Sequence, residues 1–280
     1  MTIDQLSSVH LPLGKKTPYV SQYDPSLLFP IARRFNREKI GLSAALPFMG
    51  CDSWNHYEVS WLNEKGKPVV GIANITIPCE SENLIESKSM KLYFNSFNNT
   101  KIKNVSELTT IIKKDIEANV RTSIDISIFP GNEMKDEKIL AHFEGTLLDT
   151  LDITCTVYEH SPQFLKTKGA DIITETVCSD LLKSNCLVTQ QPDWGSLQIT
   201  YTGKKINHAG LLQYIVSFRN TQEFAETAAE RIFLDIQQHC TPTELTVYAS
   251  FTRRGGVDIN ALRTTEQSFK APKKIRLYRQ

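Results

Sequence analysis

An internal repeat constrains the fold of this chain more than any other feature of its sequence. A shift of 121 positions brings Tyr93 onto Tyr214, and it aligns further polar and apolar residues without a gap. The other aligned pairs are Ser96 with Ser217, Phe97 with Phe218, Asn99 with Asn220, Ile111 with Ile232, Ile112 with Phe233, Ile124 with Leu245 and Ile126 with Val247. Agreement through two helices and a strand indicates two copies of one structural module.

Hydrophobic periodicity predicts a similar order of elements in both copies. The first copy is predicted to have strands over 54–62 and 69–77, helices over 86–98 and 105–120, and paired strands over 123–129 and 147–158. The second is predicted to have strands over 171–177 and 196–202, helices over 208–218 and 222–238, and a strand over 244–252. Consecutive strands followed by consecutive helices favour antiparallel sheets with the helices on one face. The predicted fold class is therefore α+β, with two tandem ββααββ modules.

The repeat also sets the expected domain boundaries. Residues 51–160 and 161–280 form the two modules, and residues 1–50 form an N-terminal extension that wraps around them rather than folding alone. Lys270, Lys273, Lys274, Arg276 and Arg279 make a basic C-terminal tail, which we expect to be solvated or to contact another subunit.

Composition excludes several classes of protein. The 280 residues are 40% hydrophobic and 22% charged with a net charge of +1, so any anion-binding site must be local. The sequence shows neither an apolar run long enough to cross a bilayer nor a signal-peptide pattern, and we expect a cytoplasmic protein. The six cysteines and six histidines show no disulfide framework and no metal-ligand spacing, so we expect reduced thiols and no metal.

The start of the helix predicted over 86–98 contains several candidate functional groups. Glu86, Ser87, Lys88 and Lys91 combine a carboxylate, a hydroxyl and two ammonium groups within two turns. A helix N-terminus with free N–H groups and nearby lysines suits a phosphate, while Glu86 can accept two parallel hydrogen bonds from a guanine-like base. The alternative is an ordinary amphipathic helix with a Ser/Glu cap and solvated lysines.

Cys186 stands in a polar segment between two predicted strands, seven residues before Asp193, which is followed by Trp194. A thiol and a carboxyl group in such a loop form a candidate nucleophile and acid, and the indole ring would help to keep Asp193 protonated by desolvation. The alternative is that Cys186 is a small buried hydrophobic residue, which is the usual role of a single cysteine.

Motifs along nearly the whole chain resemble those of the NADPH-dependent 7-cyano-7-deazaguanine reductases, enzymes of queuosine biosynthesis. The resemblance rests on the run from Glu86 to Tyr93 and on Ser184-Asn185-Cys186 with Asp193. It extends to Tyr23-Asp24-Pro25-Ser26-Leu27-Leu28, Ser217-Phe218-Arg219-Asn220 and Arg253-Arg254-Gly255-Gly256, as in the two-module type of that family.

The resemblance implies the tunnelling fold and a four-electron reduction of a nitrile to a primary amine with two NADPH. It implies that Cys186 forms a covalent thioimide with the nitrile carbon and that Asp193 supplies the proton. The substrate-binding residues that it implies are Ile85, Glu86, Ser87, Ala225 and Glu226, and the NADPH-binding residues are Ser87, Lys88, Arg254 and Gly255. It also implies a homodimer that acts on a small molecule, with no membrane and no requirement for nucleic acid.

One position departs from the family pattern, because Ala225 stands where a histidine precedes Glu226. The missing imidazole removes a hydrogen-bonding group and a flat ring that could cover the substrate, so we expect reduced turnover. Two other functions remain open at this stage. One is a pterin-type cyclohydrolase of the same fold that depends on zinc, and the other is a non-catalytic module that binds purines or tRNA through the basic tail.

Overall fold

The computed structural model describes residues 19–42, 45–133, 138–271 and 275–280. Lys273, Lys274 and most of the expected N-terminal extension lie outside these ranges. The described residues fall into two compact units. Unit 1 takes those within Met1–Ala45, Ser53–Lys135 and Arg254–Val257, and unit 2 takes those within Leu46–Asp52, Asp136–Arg253 and Asp258–Gln280.

Unit 1 contains three helices and most of five strands. The helices are α1 (Arg33–Lys39), α2 (Ser87–Asn95) and α3 (Val105–Val120). The strands are β1 (Pro30–Ala32), β2 (Met49–Leu62), β3 (Pro68–Pro78), β4 (Asn83–Ile85) and β5 (Asp125–Pro130). The three longer strands are ordered β5-β3-β2, and the short strand β1 pairs with β4 immediately before α2.

Local sequence signals explain where α3 begins and ends. The side chain of Asn104 caps the helix by accepting a hydrogen bond from the Glu107 N–H, and Arg121 ends it in the left-handed conformation at φ 59°. Between these caps, one face of the helix is fully buried; its residues are Leu108, Ile112, Ile116 and Val120. This apolar stripe packs next to β5 and anchors the unit.

Unit 2 contains two helices and seven strands. The helices are α4 (His208–Ser217) and α5 (Ala225–Cys240). The strands are β6 (Ile139–Leu140), β7 (Thr146–Leu147), β8 (Thr167–Asn185), β9 (Pro192–Ile206), β10 (Glu244–Phe251), β11 (Val257–Thr264) and β12 (Arg276–Leu277). The main strands are ordered β11-β10-β9-β8-β7, and α5 packs against β10.

The two units confirm the repeat. Helices α2 and α4 correspond at the predicted offset of 121 residues, whereas α3 and α5 correspond at an offset of 120, so that Ile112 is equivalent to Ile232 rather than to Phe233. Equivalent residues make equivalent contacts. The Tyr93 hydroxyl donates to Asp115 Oδ2 at 2.7 Å, and the Tyr214 hydroxyl donates to Asp235 Oδ2 at 2.6 Å. Ser96 and Ser217 each donate to the carbonyl of that tyrosine, at 2.6 Å in both units.

The structure extends the repeat to a segment that precedes each module. The Tyr23 hydroxyl reaches Asp115 Oδ2 at 2.7 Å, and His160 Nε2 reaches Asp235 Oδ2 at the same distance. One residue separates each of these from a 3₁₀ turn that begins with proline, Pro25–Leu27 in one unit and Pro162–Phe164 in the other. A different spacing, 137 rather than 121 residues, hides this correspondence from a search at a single offset.

The α+β fold class is confirmed, and unit 2 has the full ββααββ order of the tunnelling-fold module. The strand predicted over 147–158 is wrong, because residues 151–158 adopt no regular structure. Alternating half-buried residues there match a strand pattern, but a strand also needs a partner with free backbone groups. Strand β11 is absent from the predicted elements because polar residues interrupt its apolar pattern.

None of the helices in the described residues is long and apolar enough to cross a membrane.

Candidate active site

The Glu86 carboxylate caps helix α2 in unit 1. Its Oε2 accepts a hydrogen bond from the Ser89 N–H at 2.8 Å, while the Ser89 hydroxyl donates to the Glu86 carbonyl at 2.7 Å. The buried Ile85 is the last residue of β4, the buried Glu86 follows it directly, and Ser87 is the first residue of the helix. The capping interpretation is therefore correct, yet the second carboxylate oxygen is not used in the cap.

Lys88 places a buried ammonium group beside that oxygen. Its side chain is 31% exposed, and Nζ lies 3.9 Å from Glu86 Oε1. The Nζ atom itself is buried, and no residue in the described part of the chain accepts a hydrogen bond from it. A buried ammonium without an acceptor is costly, so this site is suited to an anionic or strongly polar ligand group.

The Arg254–Val257 turn provides a second basic element in unit 1. Gly255 and Gly256 both have positive φ, 64° and 78°, and the Arg254 N–H donates to the Val257 carbonyl at 2.9 Å. Two successive residues with positive φ are what a type I′ hairpin turn requires. Arg254 and Gly255, which the resemblance assigns to NADPH, thus lie in one tight turn.

Lys91 lies against this turn, a placement that sequence spacing did not reveal. Its Nζ pairs with Glu58 Oε2 at 3.0 Å. A Cβ added to Gly255 would lie 3.1 Å from Lys91 Cδ, and one added to Gly256 would lie 2.4 Å from Glu58 Cδ. Side chains at either glycine would therefore displace the ion pair. In the sequence, the two adjacent glycines are the feature that could have indicated a turn packed closely against other residues.

Cys186 begins the loop between β8 and β9 in unit 2. It is 5% exposed, its N–H donates to the Gln191 carbonyl at 2.8 Å, and its own carbonyl accepts from Gln190 N–H at 2.9 Å. The strands pair up to this loop, with Asn185 opposite Pro192 and Ser184 opposite Asp193. The hairpin thus holds the candidate nucleophile and the candidate acid at one end of the sheet.

The segment after α4 is attached to the same strand end. Asn185 N–H donates to the Thr221 carbonyl at 2.8 Å, and Glu223 N–H donates to the Asn185 carbonyl at 3.1 Å. Ala225 and Glu226 follow as the first residues of α5, with Glu226 only 2% exposed. Two backbone hydrogen bonds therefore tie the start of α5 to the strand that leads into Cys186.

Burial raises the pKa of the Glu223 carboxyl group in this segment. One of its oxygens, Oε1, is bound by Arg231, whose Nε donates to it at 2.6 Å. Oε2 is buried and has no hydrogen-bond partner within the described residues. A buried carboxylate oxygen in the segment attached to this strand end thus stays unpaired within the described residues.

Trp194 makes other contacts than those expected from its position beside Asp193. Successive residues of a strand point to opposite faces, and the indole ring has the guanidinium groups of Arg219 and Arg279 at 5.7 and 5.9 Å from its centroid. The ring thus packs with arginine side chains, and the desolvation of Asp193 by Trp194 stays a prediction.

The end of the basic tail packs on unit 2, where Arg279 is exposed as expected for a solvated tail, and a contact with another subunit stays a prediction. Leu277 is buried in a cluster with Phe143 and Tyr248, and Arg279 donates to the Asp180 carbonyl at 2.7 Å. The Gln280 amide donates to Asn260 Oδ1 at 2.8 Å. The tail thereby supports the sheet that carries the Cys186 hairpin.

The described residues form no metal-binding cluster at the candidate site, and the candidate residues do not line the cavity found in unit 2. Within the described ranges, no group of three or more His, Cys, Asp or Glu side chains is arranged to hold a metal. A cavity of about 410 Å³ lies over strands β8 to β11 and is lined largely by threonines such as Thr202 and Thr246. None of the residues assigned by the resemblance lines it.

Comparison with known protein families adds independent information. Residues 19–128 match the family described as "Nitrile reductase, 7-cyano-7-deazaguanine-reductase N-term", and residues 192–270 match "QueF-like protein". The NADPH-dependent 7-cyano-7-deazaguanine reductase of Legionella pneumophila (strain Lens) is 51% identical over 269 residues, which cover 96% of this chain and 94% of the relative. The chain belongs to this reductase family.

Other members of the 7-cyano-7-deazaguanine reductase family are similarly close. The reductase of Polaromonas sp. is 49% identical and covers 97% of this chain and 98% of its own length. The reductase of Burkholderia multivorans is 50% identical, and the match covers 91% of this chain and 93% of the relative. A crystal structure described as the archaeosine synthase QueF-Like in the apo form is 13% identical, with a TM-score of 0.30, and covers 35% of this chain and 95% of that one.

Proposed function

We propose that this protein reduces the nitrile of 7-cyano-7-deazaguanine to the primary amine, with NADPH as the reductant, in queuosine biosynthesis. The observation that supports this most is the hairpin that brings Cys186 and Asp193 to one end of the β8–β9 ladder. A nitrile carbon accepts a thiol nucleophile, and the nitrogen then needs a proton. Relatives that are about 50% identical to this chain are named for this activity.

In the proposed reaction, Cys186 Sγ bonds to the nitrile carbon and the thiol proton is transferred through Asp193 to the nitrogen, which gives a thioimide. After the first reduction the C–S bond breaks, the imine is released and the thiol regains its proton. The imine is then reduced to the amine. Each reduction adds a hydride to carbon and a proton to nitrogen, which accounts for four electrons in total.

NADPH, when bound, supplies one hydride for each of the two reductions. The residues present fit such a polyanionic molecule with several phosphate groups, since the buried Lys88 Nζ has no hydrogen-bond acceptor among the described residues. Arg254 and Gly255 add a guanidinium group and a tight backbone turn, and Ser87 adds an N–H group at the start of a helix. We assign these four residues to the cofactor, and Lys91 to the support of the turn.

The base of the substrate is assigned to Glu86, with Ile85 and Ser87 beside it, and to Glu226. Glu86 Oε1 lies outside the helix cap, and both carboxylates are almost fully buried. A buried carboxylate forms strong charge-assisted hydrogen bonds to the ring N–H and exocyclic amine of a guanine-like base. We further propose a cytoplasmic homodimer that needs no nucleic acid, with modules at 51–160 and 161–280 after the extension at 1–50.

Intact-mass measurement after incubation with 7-cyano-7-deazaguanine, without NADPH, tests the proposed function. The expected result is an increase by the full mass of one nitrile molecule, since addition releases no leaving group, followed by loss of the adduct once NADPH is added. Noncovalent binding of the nitrile without any adduct would support a purine-binding module instead. Activity that depends on bound zinc, with GTP as substrate, would support a cyclohydrolase.

Replacing Ala225 by histidine is expected to increase turnover. Ala225 is the half-buried first residue of α5, directly before the buried Glu226. An added imidazole can form one further hydrogen bond to the substrate, which corresponds to an increase in thioimide formation of up to about 10-fold. Stopped-flow measurement of NADPH consumption and adduct mass follows the change.

Ala225→Phe is the matched control, because it adds a flat ring without nitrogen atoms. If turnover increases with histidine but not with phenylalanine, the effect is due to hydrogen bonding. Equal increases in turnover would show that it is due to a ring that shields the substrate from solvent. If Ala225→His leaves affinity, thioimide formation and turnover unchanged, the prediction is wrong.

A further inference from the structure

Ser184 carries a buried hydroxyl group that the proposed mechanism does not use. The residue is 1% exposed, and its Oγ has no hydrogen-bond partner within the described residues. A buried hydroxyl without a partner is energetically costly, and native proteins contain few of them. Such a group therefore points to a partner that is present only at some stage of function.

Other buried serines of unit 2 show how unusual this is. The Ser179 hydroxyl donates to Asp149 Oδ1 at 2.5 Å, and the Ser196 hydroxyl donates to Asp180 Oδ1 at 2.5 Å. Ser217 donates to the Tyr214 carbonyl at 2.6 Å. These residues lie on the same strands or on the adjacent helix, so burial in this unit does not by itself leave a serine without a partner.

The position of Ser184 links it to the chemistry. It is directly opposite Asp193 in the β8–β9 ladder, and opposed residues in an antiparallel pair share one face of the sheet. It also precedes Cys186 by two residues, the spacing at which an extended chain returns to the same face. Three groups able to act on a nitrile thus share one face at the end of the hairpin.

We propose that Ser184 is a further catalytic residue, whose hydroxyl donates a hydrogen bond to the substrate nitrogen as Cys186 adds to the nitrile carbon. In this step the C–S bond forms, one C–N π bond breaks, and its electron pair becomes a lone pair on nitrogen, which takes up the proton from Asp193. The Ser184 hydroxyl keeps its own proton. The developing negative charge on nitrogen strengthens the hydrogen bond at this stage more than in the unreacted complex.

This inference rests on the proposed function, and single-turnover adduct formation with Ser184→Ala tests it. The expected result is an adduct rate lower by about 10- to 100-fold, as for a hydrogen bond to a group that gains charge. The melting temperature should stay the same or rise, because the substitution removes an unpaired buried hydroxyl. Ser184→Thr, which keeps a hydroxyl, should recover much of the rate.

Ser179→Ala is the matched control on the same strand. Its hydroxyl has a partner, so this variant should melt at a lower temperature while its adduct rate stays within about threefold of the wild type. In a Cys186→Ala background, Ser184→Ala should leave noncovalent affinity for the nitrile within about threefold, because the contact strengthens only on addition.

The possible results separate the two proposals. If the wild type forms no adduct, the proposed function fails and this inference fails with it. If the wild type forms the adduct and Ser184→Ala forms it within threefold of the same rate, the hydroxyl holds at most a water molecule and only the role of Ser184 is overturned. A Ser184→Thr variant as slow as Ser184→Ala, or a tenfold loss of noncovalent affinity, would also overturn it.

Discussion

Alanine in place of Cys186 is expected to abolish the nitrile adduct and to lower NADPH consumption by at least about 10³-fold, because a catalytic nucleophile has no substitute in the proposed reaction. The loop geometry supports this choice of thiol. Backbone hydrogen bonds to Gln190 and Gln191 hold Cys186 at the start of the loop between β8 and β9, and Asp193 lies in the strand that follows this loop.

The other thiols are less suited to this role. Burial raises the pKa of Cys178 and of Cys240 to about 11, so both stay protonated and unreactive near neutral pH. Cys155 is half-buried and therefore more accessible than the other cysteines, which are buried. Cys155→Ala is therefore the control for nonspecific modification. An adduct that persists in Cys186→Ala and disappears in Cys155→Ala would contradict the assignment.

Arg263→Met is expected to destabilise the protein by about 3–5 kcal/mol, because it leaves buried carboxylates without their opposing charge. Arg263 is fully buried in unit 2, and its guanidinium group donates to Asp52 Oδ1 at 2.8 Å and to Glu230 Oε1 at 3.0 Å. Methionine can fill a similar volume but offers no donor. Urea denaturation followed by circular dichroism measures the loss.

Lys113→Ala provides the comparison for an exposed ion pair. Lys113 Nζ lies 3.8 Å from Glu117 Oε1 on the surface of α3, with 45% of the lysine side chain exposed. Such a pair contributes about 0.3–0.5 kcal/mol, so this variant should remain close to the wild type. A loss below 1 kcal/mol for Arg263→Met would show that the carboxylates find other partners when the arginine is absent.

Much of the fold could be predicted because its signals are local or periodic. The helix predicted over 105–120 begins at its Asn104 cap and ends at Val120, because capping residues and an apolar stripe act within a few turns. The failures have a different origin. Strand β11 was missed because its Asp258, Asn260 and Arg263 read as polar, although all three are buried. Their burial depends on distant partners such as Glu230 and Gln280.

The candidate site divides in the same way. Residue type and motif identified Glu86, Lys88, Cys186 and Asp193 as candidates, and none of these assignments needed coordinates. The structure added Lys91 beside the Gly255 turn and the end of the tail beside Trp194. Both contacts join residues more than eighty positions apart in the sequence. Patterns of neighbouring residues cannot predict contacts over such a separation.

By itself, the sequence determined that the chain is duplicated, that in each copy two strands precede two helices, and that a thiol and a carboxyl group stand seven residues apart in the second copy. These properties follow from periodicity and residue chemistry. Only the tertiary structure decided which face each side chain occupies and which buried polar groups find partners. Strand register places Ser184 opposite Asp193, and a one-residue shift would have turned it to the other face.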